Sequence, residues 1–253
     1  HHGHANLMRR AREQNEVVAI SVFVNPLQFG PDEDYEKYPR TLEADVELAA
    51  HVGVDIVFAP EVEEMYPDGE PLVRISSGEL GSRFDGATPP GHFDGVLTVV
   101  NKFFNIIGSA TGGHRVNAYF GQKDAQQFLL VQRMVRDFNH DVTLRAVAIV
   151  REDNGLALSS RNEFLSDDER EAALVISRTL ALLREHSLNR GFEGIDLDGA
   201  RERINATPGV RLDYLELVDP NNFNAPTSES ERVLALVAAY VGQTRLIDNM
   251  DLR

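Results

Sequence analysis

The chain has 253 residues, 42% hydrophobic and 26% charged, a globular composition with enough length for one large core or two modest ones. Its 40 acidic and 25 basic residues give a formal charge of −15, which argues against a sequence-independent grip on nucleic acid or anionic membrane. No cysteine is present, which excludes a disulfide framework, a zinc–thiolate site and a catalytic thiol, and no apolar run approaches the roughly 18 residues that span a bilayer. The expectation is a soluble cytoplasmic protein acting on small molecules. Its lysines are Lys37, Lys102 and Lys123, so most basic work falls to arginine.

In chain order, His4–Asn15 reads as an amphipathic helix and Val17–Val24 as a β-branched apolar strand of the kind buried on both faces of a parallel sheet. Leu42–Val52 carries a helical stripe, with Thr41 as N-cap and Gly53 as the left-handed stop. Val54–Phe58 reads as a strand, and Val96–Ile107 as an apolar helix suited to a sheet or a partner subunit. Strand Val116–Phe120, helix Asp124–Phe138 and strand Val142–Val150 follow. Beyond about 150, helix Asp167–Glu185 opens on a Ser166/Glu169 capping box. Helix Asp198–Asn205 and strands Val210–Val218 and Val233–Val241 come next, and Leu246–Asn249 closes the chain. The pattern predicts an α/β fold, a Rossmann-like doubly wound parallel sheet with a smaller C-terminal α+β domain. The expected domains are 1–150, Rossmann-like, and 151–253, a smaller α+β domain. A βαβ unit requires a strand before the first helix, so the natural protein is expected to begin with one; a tag remnant is the alternative account of His1-His2-Gly3-His4.

Several residues are placed to carry chemistry. His1, Gly3 and His4 form an HxGH at a helix start, where N–H groups attract phosphate and glycine permits close approach. Ser159, Ser160 and Arg161 place two hydroxyls and a guanidinium in one loop, a phosphate cradle or an ordinary polar turn. Together the two segments form a two-part phosphate clamp. Lys123 follows a strand end where its ammonium can reach a triphosphate, while Asp124 suits a ribose, a phosphate-bound metal or a helix N-cap. Gln127 lies one turn further on. Asn25 and Gln28, after strand Val17–Val24, suit the hydroxyls and carboxylate of a hydroxy acid, or a structured turn. His92 reads as a satisfied, buried histidine before a ligand contact. No spaced carboxylate set predicts a dedicated metal cage, and Asp45 is the weak candidate for Mg²⁺.

VNPLQFG, YPRT (Tyr38–Thr41), EMYP, GHFDGVLTVVNKFFN (Gly91–Asn105), YFGQKDAQQ and GLALSSRN, following HHGH, resemble the pantothenate synthetase family over His1 to about Leu165. The resemblance implies a two-domain homodimer joining pantoate to β-alanine with ATP and Mg²⁺, releasing AMP and pyrophosphate. It implies catalytic roles for His1, His4 and Lys123, with His4 as proton donor. ATP binding falls to His1, His2, Gly3, His4, Gly121, Gln122, Lys123, Asp124, Val150, Leu158, Ser159, Ser160 and Arg161. Pantoate binding falls to Asn25, Gln28 and Gln127, and Gln28 also lies near β-alanine. Leu158 stands where methionine is usual and Pro89 where arginine is often found. The family's Pro-Thr-Met-Gly-x-Leu segment before HxGH is absent here, in keeping with the missing strand. Three other readings stay open: a nucleotidyltransferase acting on a phosphorylated acceptor, a non-catalytic nucleotide-binding protein, and an aminoacyl-tRNA synthetase fragment, which the −15 charge disfavours.

Overall fold

The computed structural model describes residues 2–30, 35–36, 38, 40–87 and 89–253. Its elements begin with α1 (His2–Gln14), β1 (Ala19–Ser21), α2 (Leu42–Val52), β2 (Ile56–Phe58), α3 (Val62–Met65), α4 (His92–Ala110) and β3 (Val116–Gly121). They continue with α5 (Ala125–Asp137), β4 (Val142–Val147), α6 (Asp167–Arg190), α7 (Leu197–Asn205), β5 (Val210–Val218), β6 (Leu234–Val241) and β7 (Thr244–Asp251). Two compact units result. One comprises His4–Gly121 and Gln126–Val147; the other takes in Ala148–Arg253, the Gln122–Ala125 turn and the chain start to Gly3.

In the first unit β1 pairs with β2 and β3 with β4, both in parallel, with Ile20 opposite Val57 and Ala118 opposite Leu144. A parallel pair needs a crossover, and α2 and α5 supply the two. The apolar run from Val17 forms a shorter strand than its composition predicts. Val18 O already accepts from Asp55 N and Ile56 N, and Val17 beyond it is 65% exposed. Gly53 closes α2 in the left-handed region (φ 88°), as its position implies, whereas Thr41 occupies the N-cap without a side-chain bond.

The core of this unit gathers around α4. Phe93, Val96, Leu97, Val100 and Phe104 are buried with Leu130, Val131 and Met134 of α5, and Ala118, Phe120, Val142 and Leu144 of the strands pack on them. Each large apolar side chain so buried contributes about 1.5–3 kcal/mol, so the apolar face of α4 is consumed inside the unit. The C-terminal end of α1 reaches both strand pairs. Arg12 Nη1 donates to Asp55 Oδ2 (2.7 Å) at the start of β2, while Asn15 exchanges bonds with Asn117 (2.7 Å) and Tyr119 (2.8 Å) of β3. The Val18 N–H and then the Arg12 guanidinium hold the Asp55 carboxyl below the usual range.

The second unit is built on the antiparallel order β5-β6-β7. Leu174, Leu180 and Leu183 of α6 and Ile204 of α7 bury against Leu215, Val237, Ala239 and Leu246 of the sheet. The capping box that starts α6 is reciprocal: Glu169 N donates to Ser166 Oγ (3.3 Å) and Ser166 N to Glu169 Oε2 (2.9 Å). Gly242 and Gln243 make the two-residue connection from β6 to β7, with Val241 opposite Thr244.

Candidate active site

Beyond β1 the chain turns through Asn25 into a short 3₁₀ turn, Pro26–Gln28. Asn25 is 2% exposed and its amide is fully used. Nδ2 donates to Gly95 O (3.0 Å) and Gln28 Oε1 (3.3 Å), and Oδ1 accepts from Tyr66 Oη (2.8 Å) and Leu27 N (3.4 Å). Burial pushes the Tyr66 hydroxyl up to about 12, so it remains a donor at any working pH. Lys102 Nζ stands 5.6 Å from the Tyr66 ring centroid, a cation–π contact that assigns this lysine to structure. His92 Nδ1 lies 2.8 Å from Gln28 O, so this histidine is satisfied by the loop. Gly95 lets α4 approach the loop backbone, since a Cβ there would lie 2.2 Å from Leu27 O. Gln28 is thus gripped at its carbonyl and at its side-chain oxygen. Pro89 sits against Gly30, where a Cβ would be 2.8 Å from the proline's own Cβ.

In the other unit, Val150–Leu158 doubles back as a hairpin. Leu158 N donates to Val150 O (2.9 Å) and Glu152 N to Leu156 O (2.8 Å). Gly155 turns the chain in the left-handed region (φ 97°), and Asn154 Oδ1 accepts from Leu156 N (3.0 Å). Val150 and Leu158, both assigned to ATP by the resemblance, are therefore paired neighbours. Ser159 follows and caps a 3₁₀ turn (Ser160–Phe164), its Oγ accepting from Arg161 N (3.2 Å). Lys123 and Ser159 line one small cavity with Asn162, Ser177 and Asp248. Asn162 is 4% exposed; its Nδ2 donates to Ala157 O (3.1 Å), while its Oδ1 accepts from no protein donor. Ser160 and Arg161 are exposed, and Arg161 Nη1 donates to Arg245 O (3.4 Å).

The floor of this cavity is β7. Asp248 receives Arg151 in two parallel bonds, Nη1 to Oδ2 (2.7 Å) and Nη2 to Oδ1 (2.9 Å), with its side chain 4% exposed. Next to it, Asn249 Nδ2 donates to Gln122 O and to Lys123 O, each at 2.9 Å. These bonds make the Gln122–Ala125 turn part of the C-terminal unit.

Of the other expected residues, His1 and the side chain of His2 lie outside the described residues. His4 stands on the first turn of α1 and is exposed. Although the residue is exposed overall, the protein atoms around its ring desolvate it enough to lower its pKa, against the Asp45 carboxylate, which draws it up. Asp45, half-buried on α2, is therefore an electrostatic neighbour of His4. Asp124 is exposed just before α5, and Gly121 ends β3. Gln127 lies on the first turn of α5, half-buried. Its neighbour Gln126 is a structural staple: Nε2 donates to Leu80 O (2.7 Å) and Arg83 O (2.8 Å), and Oε1 accepts from Asp85 N (3.0 Å). Among the described residues no three His, Asp or Glu side chains converge as a ligand set.

Tyr66, Arg151, Asp248 and Asn249 were not singled out by sequence reasoning. A signal for two of them exists: Asp248-Asn249 interrupts the apolar Leu246-Ile247 run, and a polar pair inside a buried strand must find partners.

The family model described as pantoate-beta-alanine ligase matches residues 1–251. The pantothenate synthetase of Paenarthrobacter aurescens is 50% identical over 265 residues, covering 100% of this chain and 88% of that protein. The enzyme of Corynebacterium efficiens is also 50% identical, with 100% and 88% covered. Among solved structures, pantothenate synthetase from Thermus thermophilus superposes with a TM-score of 0.90 at 45% identity, covering 100% of this chain and 89% of that one. Pantoate-beta-alanine ligase from Francisella tularensis, complexed with beta-gamma ATP and beta-alanine, gives 0.79 at 34% identity, with 100% and 85% covered.

Proposed function

The chain belongs to the pantoate-beta-alanine ligase family, whose ATP-dependent reaction joins pantoate to β-alanine, and from that premise we propose how its residues carry the reaction. A carboxylate resists amine attack because it is charged and lacks a leaving group. Pantoate's carboxylate oxygen attacks the α-phosphorus of ATP; the bond to the β-phosphate oxygen breaks and pyrophosphate departs, leaving pantoyl adenylate. The amine of β-alanine then attacks the acyl carbon, loses a proton, and expels AMP with the oxygen that came from pantoate.

The observation that carries this reading is the shared cavity of Lys123 and Ser159, which comes from two separate sequence motifs. The space is small, so Lys123 and Ser159 mark the edge of the phosphate site rather than enclose it; a lysine and a serine at that edge suit phosphate oxygens on which charge grows in the transition state. We assign charge stabilisation on the transferring phosphoryl group to Lys123 and, by the HxGH motif, to His4 and His1. Gly3 and His2 complete the helix-start cradle, and Gly121, Gln122 and Asp124 form the turn that faces ATP. Ser159, Ser160 and Arg161 hold the departing phosphates, with Val150 and Leu158 beside the nucleotide. Asn25, Gln28 and Gln127 hold pantoate, and Gln28 orients β-alanine. Fixed donors of this kind accelerate mainly by positioning and electrostatics; removing one costs about a hundredfold or more in rate.

Mg²⁺ bound with ATP would neutralise part of the phosphate charge, and Asp124 is the residue that would help to hold it. The scattered carboxylates among the described residues fit a phosphate-borne ion better than a protein cage, and Asp124, exposed beside Lys123, is the one that would reach it. Asp45, whose charge is felt at His4, stays the second, weaker candidate for the ion. We also propose a homodimer, with Leu72 (100% exposed) and Val73 (90%) as the apolar surface most in need of cover; light scattering at micromolar concentration reads the mass. A cytoplasmic site of action accords with the substrates, and no described helix is long and apolar enough to cross a membrane.

The test is AMP release from ATP with pantoate, with and without β-alanine. Turnover should require both acids, and pantoate alone should give pyrophosphate at one equivalent or less per site. AMP formed without dependence on either acid would defeat the assignment.

A further inference from the structure

We propose that Asn249 is a positioning residue for Lys123, so that β7 sets where the phosphate-binding ammonium stands; this rests on Lys123 acting in adenylate formation. Lysine carries its charge on a flexible four-carbon stem, so its tip is only as well placed as the backbone beneath it. Lys123 sits on a turn between β3 and α5, outside any ladder. One nitrogen, Asn249 Nδ2, donates its two protons to the adjacent carbonyls of Gln122 and Lys123, each at 2.9 Å. Both carbonyls must point the same way to accept them, which fixes the peptide planes of the turn.

Asn249 is itself over-determined. It is 6% exposed and lies in register opposite Leu236 of β6. Its N–H donates to Asp248 Oδ1 (2.8 Å), and its carbonyl accepts from Arg151 Nη2 (3.3 Å). The Arg151–Asp248 pair locks both contacts from below. The same strand also takes Arg161, through the carbonyl of Arg245. Two cations from two motifs, Lys123 and Arg161, are thus referenced to one strand that makes neither motif.

The experiment is a double-mutant cycle on the full chain, read by pantoate-dependent ATP–pyrophosphate exchange and by thermal unfolding. Asn249→Asp keeps the shape but faces two carbonyl oxygens with a group that cannot donate; Asn249→Ala removes the donor without adding charge. Each should lower kcat of the half-reaction about 10- to 100-fold, the scale of a misplacement near 1 Å. The KM for pantoate should stay within about twofold, and thermal unfolding should show the variants fully folded at the assay temperature, because a lost folded fraction would by itself lower kcat without changing KM. In a Lys123→Met background, adding Asn249→Ala should change the rate by less than about threefold, because the group it positions is gone. Should the aspartate variant fail to fold, the alanine cycle decides alone. Losses that multiply in the double mutant, or single Asn249 variants with normal kcat, would overturn the proposal. A Lys123→Met enzyme with normal exchange would instead overturn the role of Lys123.

Discussion

Tyr66 donates its hydroxyl to Asn25 Oδ1 at 2.8 Å, and Asn25 passes the constraint on through its amide to Gln28 Oε1 at 3.3 Å. A buried phenol on α3's edge therefore orients a glutamine assigned to both acids. In Tyr66→Phe, the Asn25 oxygen keeps only the long bond from Leu27 N (3.4 Å). Leaving a buried acceptor so weakly paired costs about 1–3 kcal/mol. The expected result is a lower melting temperature and a KM for pantoate raised severalfold, with the KM for ATP little changed. Steady-state kinetics on the two substrates check the split.

Gly95→Ala tests the close approach of α4 to the same loop. The new Cβ would lie 2.2 Å from Leu27 O and 2.8 Å from Gln28 N, both backbone atoms, so the loop must move. Overpacking of this kind costs about 1–3 kcal/mol, and displacement of Gln28 should lower kcat/KM for pantoate about 10- to 100-fold. Gly108→Ala on the same helix meets nothing within 4 Å and is the control. It should be neutral or stabilising by about 0.5–1 kcal/mol.

Arg151→Leu leaves the Asp248 carboxylate buried without its cation. Breaking such a pair from one side costs roughly 3–5 kcal/mol. Replacing both, with Asp248→Leu added, should recover part of that loss. Urea denaturation of the single and double variants distinguishes a net-stabilising pair from one that mainly fixes geometry.

Stability should fall with acid through His140. Burial lowers its pKa from 6.5, and its Nε2 is buried without a partner, packed near the Phe104 ring at 5.6 Å. The folded pKa is depressed, so the unfolded chain takes the proton first. The contribution is full above 6.5 and is lost as pH falls from there through the lower folded pKa. Melting temperatures between about pH 7.5 and 5 should show the decline, and His140→Phe should remove part of the slope.

The alternation of strand and helix was legible because apolar periodicity and Gly53 speak directly of local structure. Strand ends were not. Nothing in Val17–Val24 says that the ladder to β2 covers only Ala19–Ser21, since that length is set by what Ile56–Phe58 can reach. Thr41 had the chemistry of a cap but not the geometry. The site motifs were readable as residue types, whereas their supports were not. Gln126 and Gln127 are chemically identical, and only packing against Leu80 and Arg83 shows that the first is a staple. Asn249 reaches Lys123 across more than a hundred positions of sequence, a contact that no local pattern encodes.

Passage through pantoyl adenylate requires that the bond to phosphorus form from pantoate's own carboxylate oxygen. Pantoate labelled with ¹⁸O in that carboxylate, turned over with ATP and β-alanine, tests it directly by mass spectrometry of the products. One labelled oxygen should appear in AMP and none in pyrophosphate. Unlabelled AMP, or label in pyrophosphate, would contradict passage through pantoyl adenylate.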